Sequence, residues 1–144
     1  MKNLLLITVA FLCLKSNAQK QPFPANVKFD NGLMASTKNS LDAKANYDIW
    51  KTNFVEACSN ARYRVKFDTS SETVSEGIGY GMLLSVYMAD KTLFDGLWLY
   101  YKDNVNGNKV MNWKINGCSG TIGQNGATDA ELDVAFALIV ADYQ

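Results

Sequence analysis

Apolar residues recur along this chain in blocks with helical spacing, broken by polar stretches rich in Asn, Gly and Ser. From Ser40, the residues Leu41, Tyr47, Trp50, Phe54 and Cys58 fit one broad helix face that is expected to end near Cys58–Arg62. Alternation replaces it at Tyr63–Phe67, which predicts a short strand before a polar loop at 68–73. A second helix is expected from about Glu76 to Ala89, carrying Tyr80, Leu83, Leu84 and Tyr87. After a tight joint at Asp90–Thr92, a third runs from about Leu93 to Val105 with Leu93, Leu97, Trp98 and Tyr101 on one side. The next stretch, to Asp129, reads as loop with one short extended piece at Lys109–Ile115. A fourth helix begins at Asp129, with Leu132, Phe136, Ile139, Val140 and Tyr143 on one face, and is still running at the last residue. Four helices and one strand at most predict an all-α fold. Short connections make successive helices antiparallel, so the second and fourth should open at the same end of the molecule.

The first residues follow another pattern. Lys2, the apolar run Leu4–Leu14 and the small-residue site Ser16–Ala18 read as a secretory signal, residues 1–18, cleaved after Ala18. The run is well short of the roughly 20 residues that a membrane span needs. Bulky Leu12 ahead of Cys13 argues against a lipid anchor. The product is expected to be secreted or periplasmic, with an extended lead-in over 19–39 that holds both prolines.

Export changes the charge and the cysteine count. Without Lys2 and Lys15 the 14 basic residues become 12 against 14 acidic ones, a formal −2 that suggests neither a nucleic-acid nor an anionic-membrane partner. Cys58 and Cys118 remain, either paired or as free buried thiols. The sequence has no histidine. That removes Ser-His-Asp and Cys-His nucleophilic systems together with the usual zinc ligands. No metal or cofactor is expected, and acid–base work falls to carboxylates, tyrosine or lysine.

Two carboxylates stand at helix mouths. Glu76 opens the second helix within "TVSEGIGYGM", and Asp129 opens the fourth within "GATDAELDVAFAL". Both have an ordinary structural reading. Thr73 and Glu76 have the spacing of a capping box, as do Thr128 and Glu131, with Asp129 an acid favoured by the helix dipole. A cap does not call for Gly77, Gly79 and Gly81, however, each costing a helix up to about 1 kcal/mol. Glycines there suit close approach of another backbone or a ligand. Two acids across a cleft are the minimal equipment for glycoside hydrolysis. Tyr80, one turn after Glu76, and Trp113, before the fourth helix, are candidates to stack on sugar rings. Trp50, Trp98, Tyr47 and Tyr101 sit at helical spacing and read as core. "GIGYG" lacks a dinucleotide fingerprint's third glycine and preceding strand, and "NGCSGTIGQNGATD" lacks the Gly-Lys-Ser/Thr of a phosphate loop. The latter reads as a flexible loop at the cleft rim.

These motifs resemble glycoside hydrolase family 8, secreted bacterial endoglucanases, xylanases and chitosanases built on an (α/α)6 barrel. "TVSEGIGYGM" is similar to the family's Ser-Glu-Gly-x-x-Tyr-Gly-Met segment, which carries the proton donor, here Glu76. "ATDAELDVAFALIVA" is similar to its Ala-Ser/Thr-Asp-Ala/Gly-Asp-x-x-Ile/Met-Ala signature, whose first aspartate matches Asp129. Trp113 in "VMNW" resembles the family's loop tryptophan. Glu131 stands where the signature has its second aspartate, and Val134 where it has Ile or Met.

The resemblance covers about 40–144 and implies the front of the barrel, about four helices, with the general base outside the chain. It implies inverting hydrolysis of a β-1,4-linked glycan such as cellulose, xylan or chitosan. Glu76 would protonate the leaving oxygen, its proton retained in the closed cleft, and Asp129 would hold the sugar at the cleavage point. The 144-residue chain by itself is expected to be inactive, with apolar helix faces uncovered. The competing readings are a glycan-binding protein without hydrolysis, a helical module in which both acids are caps, and a glycan lyase or phosphorylase.

Overall fold

The computed structural model describes residues 31–33, 36, 37 and 39–143. The expected signal over 1–18 and most of the lead-in over 19–39 lie outside the described residues.

Among the described residues there are four helices: α1 (Ser40–Phe54), α2 (Ser75–Tyr87), α3 (Lys91–Asp103) and α4 (Thr128–Tyr143). Asn39 caps α1 by accepting from the Leu41 amide at 3.0 Å, and Asp90 caps α3 by accepting from the Leu93 amide at 3.1 Å. Helix α2 stops short of its expected end because Ala89 takes a left-handed conformation, φ 56°, and the chain turns back toward Ser85.

The all-α expectation needs correction, because among the described residues five short strands in two small antiparallel sheets accompany the four helices. β1 (Val55–Ala57) pairs with β2 (Tyr63–Val65), Val55 opposite Val65. β3 (Glu72–Val74), β4 (Lys114–Asn116) and β5 (Thr121–Gly123) form the second sheet in that order. Helix α1 therefore ends at Phe54, four residues before Cys58. Val55 is extended, and β-branched residues there favour pairing over another helical turn. The loop expected at 68–73 contains β3, and the glycine-rich stretch read as flexible contains β5. Gly117 and Gly120 take φ of 61° and 111° in the β4–β5 turn, a backbone that other residues seldom adopt.

The core is built around α2, which packs against α3 and α4, and takes in Tyr47 of α1, Val65 of β2 and Ile115 of β4. Ile78, Met82, Leu97, Met111 and Ile115 are wholly buried, each contributing about 2 kcal/mol. Tyr47 and Tyr101 are buried, and Trp50 and Trp98 pack half-buried against them, as their spacing predicted. Helix α4 turns a different face inward from the one its large residues suggest. Ala130, Val134 and Ala137 are buried, while Leu132, Phe136, Ile139 and Tyr143 are exposed. Small residues bring α4 close to α2: a Cβ at Gly79 would lie 3.1 Å from the Asp133 Cβ and 3.3 Å from the Ala130 carbonyl. Cys58 and Cys118 form a disulfide, Cα atoms 5.7 Å apart, tying the turn after β1 to the β4–β5 turn. Among the described residues no helix is long and apolar enough to cross a membrane.

Candidate active site

The contact of Gly79 with Ala130 joins the early turns of α2 and α4, so these two helices open at the same end. At the mouth of α2 no capping box forms. The N-cap position is Val74, whose side chain accepts nothing. The Thr73 hydroxyl instead donates to the Val65 carbonyl at 2.9 Å and accepts from Arg64 at 3.2 Å. Glu76, half-buried, accepts from the Ser75 hydroxyl at 3.2 Å. Its carboxyl is thus not spent on the helix end.

Trp113 fastens the two mouths together through its main chain. Its carbonyl accepts from the Ser75 amide at 2.9 Å, and its amide donates to the Asn125 carbonyl at 2.7 Å, three residues before α4. The indole lies against Gly123, where a Cβ would meet the ring at 2.5 Å, so glycine is required under it. The ring remains 40% exposed and has the Lys114 ammonium 5.8 Å from its centroid. Lys114 is anchored in turn by Glu72 on β3, at 2.7 Å. Tyr80 is 57% exposed on α2, one turn after Glu76. Asp129 stands exposed on the first turn of α4.

Glu131 does not complete a capping box either. One of its oxygens, Oε1, is buried with no hydrogen-bond partner. Burial pushes the Glu131 carboxyl up, and the charges of Asp129 and Glu76 push it further. The Tyr101 hydroxyl and Glu131's own amide oppose them by favouring the charged form. Burial likewise pushes up the Tyr101 phenol. Sequence reasoning read Glu131 both as the partner in a capping box and, from the family resemblance, as the longer side chain in place of the signature's second aspartate.

Four sequence-predicted residues, Glu76, Tyr80, Trp113 and Asp129, thus lie on or beside two adjoining helix mouths bridged by one loop. The family profile described as "Glycosyl hydrolases family 8" matches residues 21–144. The chain belongs to this family. It is 35% identical to a β-glucanase of Niallia circulans over 99% of its own length and 39% of that protein's. It is 37% identical to endoglucanase 2 of Ruminiclostridium josui, covering 94% of this chain and 32% of that one. The solved apo structure of a β-1,3-1,4-glucanase from Paenibacillus sp. X4 superposes with a TM-score of 0.78 at 35% identity, over 88% of this chain and 37% of the other. This family 8 chain therefore spans less than two fifths of the length of these relatives.

Proposed function

We propose that the protein carrying this chain is an exported glycoside hydrolase that cleaves β-1,4-linked polysaccharide by an inverting acid/base mechanism. Glu76 is the proton donor and Asp129 holds the sugar at the cleavage point. The observation that carries this reading is the main-chain bridge of Trp113, which ties the mouth of α2 to the approach to α4. This supports a reading in which Glu76, a carboxyl not used as a helix cap, works with Asp129 and the exposed indole of Trp113.

Each group has a physical task. Hydrolysis of a glycosidic bond needs a proton on the departing oxygen as the bond breaks, and Glu76 supplies it. Positive charge grows on the sugar ring in the transition state, and the Asp129 carboxylate stabilises it while gripping the distorted ring. Sugars offer apolar faces, and the open face of Trp113, with Tyr80 beyond, provides stacking platforms for neighbouring units. A water-activating base farther along the protein completes an inverting pair. The relatives named β-glucanase, endoglucanase and β-1,3-1,4-glucanase make β-glucans the first substrates to try.

The test uses the full-length gene product on mixed-linkage β-glucan, carboxymethylcellulose, xylan and chitosan. Reducing ends are measured, and the anomer of the first products is followed by NMR. Release of α-anomers from at least one glucan is expected. β-Anomers would contradict inversion. Binding without any release would favour the non-hydrolytic glycan binder, which needs the same aromatic rim.

A further inference from the structure

The exposed indole of Trp113 has a tethered cation beside it. Lys114 opens β4, opposite Val74 on β3 and Gly123 on β5. Its pairing with β5 is irregular between Lys114 and Ile115, a bulge of the kind that re-aims a side chain. The Lys114 ammonium meets the Glu72 carboxylate at 2.7 Å, with both side chains mostly covered, and stands 5.8 Å from the centroid of the indole. That is within the reach of a cation–π attraction, about 6 Å. The seat of the ring is just as close. A Cβ at Gly123 would lie 2.5 Å from the indole and 2.9 Å from the Lys114 Cβ. The ring is thus set by all three strands of one sheet, through Glu72, Lys114 and Gly123. An ion pair of this kind adds little to stability once the entropy of holding a lysine is counted, so the fold alone gains little from it.

Resting on the hydrolase reading, we propose that Lys114 is a positioning residue for the sugar platform, held by Glu72 and in turn holding the Trp113 indole in the orientation that receives a neutral sugar ring. An untethered indole turns about its side-chain bonds, and binding a sugar has to stop that motion. A ring fixed beforehand costs less to order when the sugar arrives, and the difference appears as affinity. The ligand is an uncharged β-linked glucose unit that lays its apolar face on the ring. Stacking of this sort acts alike on bound substrate and transition state, so it sets KM and leaves kcat nearly unchanged.

The experiment uses the full-length gene product and three variants. Lys114→Met keeps the length of the stem and removes the charge. Lys114→Arg restores a cation that can stack and can pair with Glu72. Trp113→Ala removes the platform. Values of kcat and KM are measured on mixed-linkage β-glucan, and nitrogen-15 NMR follows the Trp113 indole N–H. Lys114→Met is expected to raise KM roughly two- to tenfold, with kcat within about twofold, and to shift the Trp113 signal. Lys114→Arg should keep KM near wild type. In a Trp113→Ala background Lys114→Met should leave KM unchanged, because nothing remains to be positioned. Glu72→Gln makes the same comparison from the other end of the ion pair and should raise KM by a smaller factor.

An unmoved KM for Lys114→Met in an active enzyme, or a KM change that persists without Trp113, overturns this inference and leaves the hydrolase reading standing. A wild type that hydrolyses none of the four glycans overturns the hydrolase reading instead, and the indole signal then decides by itself whether Lys114 holds the ring.

Discussion

The hydroxyl of Thr73, donating to Val65 and accepting from Arg64, leaves Glu76 without a capping partner at the mouth of α2. Arg64 is buried, and it also reaches Glu56 and the Ser70 and Glu72 carbonyls. None of these contacts follows from the local Thr-x-x-Glu spacing, so sequence alone left the cap and the acid as rivals for one carboxyl. Asp90 shows the opposite case, an acid fully spent on structure. It caps α3 and accepts from the Tyr47 hydroxyl at 2.8 Å and from Lys51, binding α1 to α3. Burial pushes its carboxyl up, but the bonds from Lys51, Tyr47 and the Leu93 amide outweigh that and hold it below the usual value. A depressed carboxyl contributes stability above its unfolded value and loses it as the pH falls through its folded value. Asp90→Ala should therefore cost about 1 kcal/mol at neutral pH through the lost cap alone. In urea unfolding the gap to wild type should narrow toward about pH 3. An equal gap at both pH values would mean that the charge of Asp90 does not matter.

The three glycines of α2 separate at the level of elements. A Cβ at Gly81 would meet Val65 at 2.9 Å and Leu97 at 3.0 Å, and one at Gly79 would press on α4. At Gly77 the nearest atoms are 3.7 Å away, ordinary contact. Gly81→Ala should lose about 1–3 kcal/mol by overpacking. Gly77→Ala should be neutral or gain up to about 1 kcal/mol of helix propensity. Thermal melts of the two variants would check this, and a larger loss at Gly77 would refute the packing account. The sequence suggested that these glycines serve close approach, and the structure assigns Gly79 and Gly81 to neighbouring elements. The helices were legible because each carries several turns of periodic apolar residues. The strands were mostly not, since three residues give alternation too little length to register. The inward face of α4 misled for a physical reason. Its large residues form the longer apolar stripe, but small Ala130 and Ala137 are what allow α2 so near.

For the molecule as a whole, the parts of the candidate site come from distant stretches of chain, and the main-chain bonds of Trp113 link the mouth of α2 to the approach to α4. The Cys58–Cys118 disulfide closes a separation of 60 residues, a link typically worth about 2–4 kcal/mol. It braces the β4–β5 turn, and β4–β5 carries the residues beneath and beside Trp113. Both cysteines were visible in the sequence, but their pairing depends on a distance that only the fold supplies. Family membership was legible from two spaced motifs, because they hold the residues that open α2 and α4. The central claim is that Glu76 is the acid of this cleft, and the most direct measurement is glucan hydrolysis by the full-length protein with Glu76→Gln beside wild type. The amide keeps the shape of the side chain and removes its proton. The account predicts a folded variant whose turnover falls by about 10²–10⁴. Turnover equal to wild type would contradict it and leave Glu76 with no part in the chemistry.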